Sequence, residues 1–190
     1  MRNLVLGLVL ASGGAWAAAT DDYLNGQRAL DAGNRDKAVY LLEQAAGAGL
    51  VDAQLRLGEL LPGQPGERWL REAVRQGSRP AAENLAQRYY DGSAYRRAAQ
   101  CWLKTAGQGS SAAQARLGAL QVVGYGLPKD KTQAFAWMNL AASAGDAEVI
   151  ALRDTLGEQL PADQREAGEA LSRTLTEHPP ELAGEPPCGE

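Results

Sequence analysis

The residues from which acid–base, nucleophilic or metal chemistry would be built are few or scattered in this 190-residue chain. It has one histidine, two cysteines, and 23 aspartates and glutamates spread along its length. His178 stands just before Pro179 and Pro180. A general base must be held within hydrogen-bond reach of a nucleophile, and a histidine at the edge of a proline-rich tail has no element to hold it. A zinc site needs more ligands than these residues supply. Glycoside cleavage needs two carboxylates converging on one bond, and no spacing singles out such a pair; solvated helix faces account for the acidic residues. The expectation is therefore no catalytic residue, no metal ligand and no cofactor.

Cys101 and Cys188 leave two readings open. An even count in an oxidising compartment suggests a disulfide pinning the tail. The position of Cys101, in a column otherwise occupied by Leu41, Trp69 and Trp137, suggests a small buried apolar residue. A redox pair is disfavoured, because the two are far apart in sequence and no Cys-x-x-Cys motif is present.

The oxidising compartment follows from the N-terminus. Arg2 is the only charge before Asp21, Leu4 to Leu10 is apolar apart from Gly7, and small residues follow as Ala15-Trp16-Ala17 and Ala17-Ala18-Ala19. Charged start, short apolar core and small-residue exit are the parts of a signal peptide, expected here at residues 1–19 with cleavage after Ala17 or Ala19. The apolar run is well short of the ~20 residues that span a bilayer, no cysteine near the exit invites lipid attachment, and no later segment is long and apolar enough to span. The mature protein is expected in the periplasm or secreted.

Positioning then falls to helices. Ala and Leu are abundant, whereas one Phe and six Tyr make a thin aromatic core. Such residues favour close-packed helices, and few β-branched residues argue against an extensive sheet. A net charge of −4 and a pI near 5.2 remove the broad attraction that nucleic acid or an anionic membrane would need.

The chain also repeats itself, which bears directly on fold. Small residues align in three columns: Gly26, Gly58, Ala86 and Gly118; Ala38, Gly66, Ala98 and Ala134; Ala45, Ala73, Thr105 and Ala141. Second to third column is 7 residues every time, and third to the next first column is 13. Only first to second varies, as 12, 8, 12 and 16. Steps of four are about one helical turn, so the buried faces keep their register while the turn within each pair changes length. Apolar pairs (Leu41-Leu42, Trp69-Leu70, Cys101-Trp102, Trp137-Met138) lie on the same stripe. Asn34 is expected to cap one helix, and Asp130 with Gln133 to form a reciprocal capping box. Gly49, Gly77, Gly109 and Gly145 fit C-terminal caps.

The 12- and 7-residue spacings resemble the tetratricopeptide repeat. Ala113-x-x-x-Leu117-Gly118, the turn Gly124-Tyr125-Gly126 with Asp130, and Ala134-Phe135-Ala136-Trp137 running to Ala141-Ala142 and Gly145 together resemble a Sel1-like repeat. The resemblance implies an all-α fold, a right-handed α-α superhelical solenoid of about four helix pairs plus a C-terminal capping helix. Repeats are expected over residues 20–158, the capping helix over 159–177 and a proline-rich, extended or disordered tail over 178–190. The small residue due at position 154 is Asp154, so the last pair is expected to cap the stack rather than repeat it.

The resemblance further implies a non-enzymatic adaptor of the bacterial envelope that binds a protein or peptide partner on its concave face. The alternatives are a regulator of a cell-wall enzyme acting by occlusion, and a hydrolase of cell-wall or β-lactam substrates. The hydrolase is disfavoured because the paired cysteines of such relatives are missing. Arg and aromatic residues are favoured binding anchors; the candidates are Arg56, Arg88, Tyr89, Tyr90, Arg116 and Tyr125. Packing within the stack is the competing role for Tyr89 and Tyr90. A monomer is expected, with no nucleic acid partner and no membrane segment after leader removal.

Overall fold

The computed structural model describes residues 2–180, 182 and 184–190, with side chains described from Gly14 onward. Among the described residues there are ten α-helices and no strand. They are α1 (Arg2–Asp31), α2 (Arg35–Gly47), α3 (Val51–Leu60), α4 (Gly63–Arg75), α5 (Arg79–Asp91), α6 (Tyr95–Gly107), α7 (Ser111–Val123), α8 (Lys131–Ala142), α9 (Ala147–Glu158) and α10 (Ala162–Ser172). The leader expected at residues 1–19 falls in the first part of α1, and its charged start and apolar run lie outside the described side chains. No helix among the described residues is long and apolar enough to cross a membrane.

The chain forms two compact units, one ending at Ala81 and one beginning at Ala82. Within the first, α1 packs on α2 and α3 on α4; within the second, α7 packs on α8, which also meets α9 and α10. All twelve residues of the three small-residue columns are buried. Their use is specific. A Cβ on Gly26 would meet Leu42 Cγ at 2.9 Å, one on Gly58 would collide with Leu70, and one on Gly118 would meet Met138 Cγ at 2.8 Å. In these three pairs the first helix thus offers a glycine to the side chain four residues beyond the small residue of the second helix, while the α5–α6 pair has Ala86 in that place. Leu42, Leu70 and Met138 are at most 5% exposed, and burial of each such side chain contributes about 1.5–3 kcal/mol.

Between pairs, a buried amide does the joining. Gln54 Nε2 donates to the Ala46 carbonyl at 3.1 Å, and its Oε1 accepts from Gln76 Nε2 at 2.8 Å. Gln114 Nε2 donates in the same way to the Ala106 carbonyl at 3.2 Å. Each carbonyl lies in the last turn of a helix, where it lacks an intrahelical donor. The glycine after each of these helices closes the turn: Gly49 has φ +92° and its N–H reaches the Ala46 carbonyl at 3.0 Å, while Leu50 N–H reaches Ala45 at 3.1 Å. Gly77 and Gly109 repeat the pattern.

Three sequence expectations are corrected. Asn34 accepts from Lys37 N–H and Asp130 from Gln133 N–H at 2.9 Å, as expected of caps. Gln133, however, does not return the bond; its Oε1 accepts from Gln121 Nε2. Gln121 is 3% exposed, and a buried amide is costly to leave unpaired. Second, the last helices do contribute small residues, but at Gly157 and Gly168 rather than at the exposed Asp154. A Cβ on either would stand 2.9 Å from a Phe135 ring carbon, so α9 and α10 clasp that ring. The small residue comes three positions late, which breaks the regular spacing of the columns. Third, the tail is not free. Cys101 and Cys188 are joined (S–S 2.01 Å), Arg96 Nε lies 3.5 Å from Glu185 Oε1, and a Cβ on Gly107 would stand 3.7 Å from Pro179 Cγ. Cys101 is thus both buried and bridged, so its two sequence readings do not exclude each other.

Candidate functional site

In the first unit, α1 and α3 together line an open cleft of about 260 Å³ with Tyr23, Gln27, Asp52, Leu55, Arg56 and Glu59. Gln27 Nε2 donates to Tyr23 Oη at 2.8 Å, and Arg56 Nη1 pairs with Glu59 Oε2 at 2.9 Å. Both members of that pair are 40% exposed, so it contributes about 0–1 kcal/mol. Arg56 Nε is buried with no hydrogen-bond partner. The cleft therefore presents opposite charges, a phenol and an amide around one incompletely paired guanidinium, which suits a polar segment of another chain.

In the second unit the structure gathers aromatic rings. α5 ends in a three-residue reversal, with Ser93 at φ +61° taking the left-handed place that glycine holds in the other turns. Its N–H reaches the Tyr90 carbonyl at 2.9 Å, and Ala94 N–H reaches Tyr89 at 2.8 Å. Tyr90, in the last turn of α5, thereby meets Tyr95, the first residue of α6, with centroids 5.3 Å apart. Tyr90 also lies 5.6 Å from Trp102, over which the Arg116 guanidinium stands at 5.9 Å.

The turn after α7 completes the array. Gly126 has φ +70°, and a Cβ there would stand 2.5 Å from Arg96 N and from Tyr95 C. Only glycine lets this turn approach the start of α6 so closely, and the approach lays Tyr125 on Tyr95, stacked at 4.9 Å and 21°. Tyr125 remains 50% exposed. Offset and edge-on ring pairs of this kind each contribute about 0.5–1.5 kcal/mol.

Of the candidate residues, Tyr90, Arg116 and Tyr125 are brought into one array through Tyr95 and Trp102. Arg56 belongs to the first unit. Arg88 is in the last turn of α5, where a cation suits the helix dipole. Tyr89 is 9% exposed and lies under the Arg97 guanidinium beside the tail, away from the exposed rings. Sequence reasoning missed Trp102 as the platform for Arg116; its place beside Cys101 in the apolar column marked it only as core. A further cleft of about 460 Å³ among α8, α9 and α10 has Phe135 in its wall, Arg153 and Arg165 on its rim, and Asp154, Glu158 and Glu169 opposing them. Among the described residues no three His, Cys, Asp or Glu side chains converge as a metal site would require.

Comparison with known proteins gives these surfaces a context. A crystal structure of c5321, described as a protective antigen present in uropathogenic Escherichia coli strains and displaying an SLR fold, is 25% identical. It superposes with a TM-score of 0.66 over 88% of this chain and 42% of that one, so this chain spans less than half the length of c5321. A Sel1 repeat protein from Oxalobacter formigenes, 22% identical, superposes with a TM-score of 0.57 over 83% of this chain and 75% of its own. No curated protein matches the chain in sequence. The Sel1 repeat pattern matches residues 15–50, 51–78 and 111–146, more than half of the chain, and the protein belongs to the Sel1 repeat family.

Proposed function

We propose that the protein is a non-enzymatic interaction module of the bacterial cell envelope, exported by the leader at residues 1–19 and binding a protein or peptide partner as a monomer. Sel1 repeat proteins are generally protein-interaction scaffolds and typically non-catalytic. The observation that carries the reading here is the ring array running from the buried Trp102 through the half-buried Tyr90 and Tyr95 to the exposed Tyr125, with Arg116 above one end. Rigid rings beside a guanidinium are the usual energetic centre of a protein interface. The cleft around Arg56 supplies a second, polar contact.

A photo-crosslinking residue at position 123, beside the array, tests this in cells. The reading expects one or a few discrete adducts that disappear with Tyr125→Ala and Arg116→Glu. Unchanged adducts in both variants would overturn it. If the captured partner is a cell-wall enzyme whose turnover falls on binding, the module acts as a regulator by occlusion.

A further inference from the structure

The C-terminal tail lies along α6 in a manner that resembles a bound peptide. Pro179 is near Gly107 at the helix end, and Glu185 meets Arg96 at the helix start. The chain then doubles back, with Glu190 N–H donating to the Pro187 carbonyl at 3.0 Å, so that Cys188 reaches Cys101. Tyr89, Arg97 and Gln100 line one side of the contact, and Pro186, Pro187 and Cys188 line the other. The gap left between them is about 10 Å³. The seat is therefore filled, and the covered face is shaped to a short segment that reverses direction.

Its chemistry is also defined. α6 begins at Tyr95 after Ala94, which offers no side-chain cap. The partial positive charge of that helix start adds to Arg96 and Arg97, and Glu185 is the tail's answer to it. The tail's fit is incomplete at one point. Gln100 Oε1 is buried without a hydrogen-bond partner, and the two prolines beside it carry no N–H to give it.

We propose that this α5–α6 face is a second docking site, for a short acidic segment of a partner protein. The tail is its resident occupant, latched by the Cys101–Cys188 bond. A partner segment with an acidic residue at the Arg96 end and a backbone N–H near Gln100 would match the face better than the tail does. While the latch is closed, the tail's local concentration excludes such a segment. A protein dithiol opens it. One thiolate attacks the Sγ of Cys188, the less buried residue of the two at 8% exposed against 0% for Cys101. A mixed disulfide forms and Cys101 leaves as a thiolate, which takes a proton. The second thiol of the dithiol then displaces Cys188 as a thiol. Two electrons and two protons pass from the dithiol, which ends as a disulfide.

At its Arg96 end this surface adjoins Tyr95 and Gly126, but the contacts the probe tests, at Arg96 and Gln100, involve no ring of the array, so failure of one reading is distinguishable from failure of the other. The test uses the full chain and, as probe, a fluorescein-labelled peptide of residues 182–190 with serine at 188, followed by fluorescence anisotropy. In the Glu185→Lys/Cys188→Ser chain the tail is unlatched and mismatched to Arg96. That chain is expected to bind the probe at least about tenfold more tightly than the oxidised wild type, about 1.4 kcal/mol. In an Arg96→Glu/Cys188→Ser chain, whose own Glu185 is then mismatched, the unmodified probe should not bind and a probe carrying lysine at 185 should bind instead. Circular dichroism matching the wild type establishes that each variant is folded. Equal binding by the latched and unlatched chains, no binding by the folded unlatched chain, or failure of the charge exchange would each overturn the proposal.

Discussion

Gly118 of α7 lies against Met138 of α8 so closely that a Cβ would stand 2.8 Å from Met138 Cγ and 3.0 Å from the Ala134 carbonyl oxygen. The methionine could yield, but the carbonyl belongs to the α8 backbone and cannot move alone. Alanine is a better helix former than glycine by about 1 kcal/mol, whereas overpacking a close contact costs about 1–3 kcal/mol. Gly118→Ala is therefore expected to destabilise the protein by up to about 2 kcal/mol. Chemical denaturation would measure it. A raised midpoint would show that the helices separate without penalty.

Gln114 is 5% exposed and gives its amide N–H to the Ala106 carbonyl. Leucine has a similar volume but no donor, so Gln114→Leu leaves the Ala106 carbonyl with only its turn N–H donors, such as that of Gly109. The expected loss is that of one buried hydrogen bond, about 0.5–1.5 kcal/mol. Gln54→Leu should lose a similar amount through the Ala46 carbonyl, because its other partner, Gln76, is exposed and can turn to water. Stability equal to wild type in both variants would show that water replaces the amide.

These amides mark a limit of what the residues disclose on their own. The helix pairs were legible because glycine and alanine recur at fixed spacing, and spacing is a direct image of which helix faces touch. Gln54 and Gln114 each follow an alanine of the repeat, but the third repeat has Ala82 there, so the pattern is incomplete and the role invisible. Gln133 misled for the opposite reason. Its spacing from Asp130 fits a capping box, yet Gln121, twelve residues earlier in sequence, claims its oxygen. The ring array was half legible: Tyr90 and Tyr95 flank a turn, but the stacking of Tyr125 on Tyr95 depends on a tertiary approach. The course of the tail along α6 depends on residues such as Arg96 and Glu185, whose separation in sequence carries no pairing signal.

The bond between Cys101 and Cys188 closes a loop with a sequence separation of 87 residues, which takes in α7 through α10. Cross-linking a loop of this size restricts the unfolded chain, and such bonds typically contribute about 2–4 kcal/mol. Cys188→Ser removes the bond while leaving the buried Cys101 in place. Its midpoint of denaturation is expected to fall by that amount and to match reduced wild type. Addition of dithiothreitol should leave the variant unchanged. A shift in the variant on reduction would mean that stability is lost elsewhere.

Gly126 offers the sharpest separation between packing and recognition. It is partly exposed and carries no side chain, yet a Cβ there would strike the backbone at Tyr95 and Arg96 at 2.5 Å. Gly126→Ala must also hold alanine at φ +70°, which costs about 1–2 kcal/mol. The turn can relieve both by lifting away, and Tyr125 would leave Tyr95 with it. The α7 and α8 cores, centred on Leu117 and Trp137, would be untouched. The expected outcome is a folded protein with a modest loss of stability, about 1–3 kcal/mol. Partner capture through the array should fall as far as in Tyr125→Ala. Nuclear Overhauser contacts between the two tyrosine rings would report the separation directly. If the contacts vanish and capture persists, the stacked geometry is not what the partner recognises. If both vanish together, the glycine acts by placing a ring it never touches.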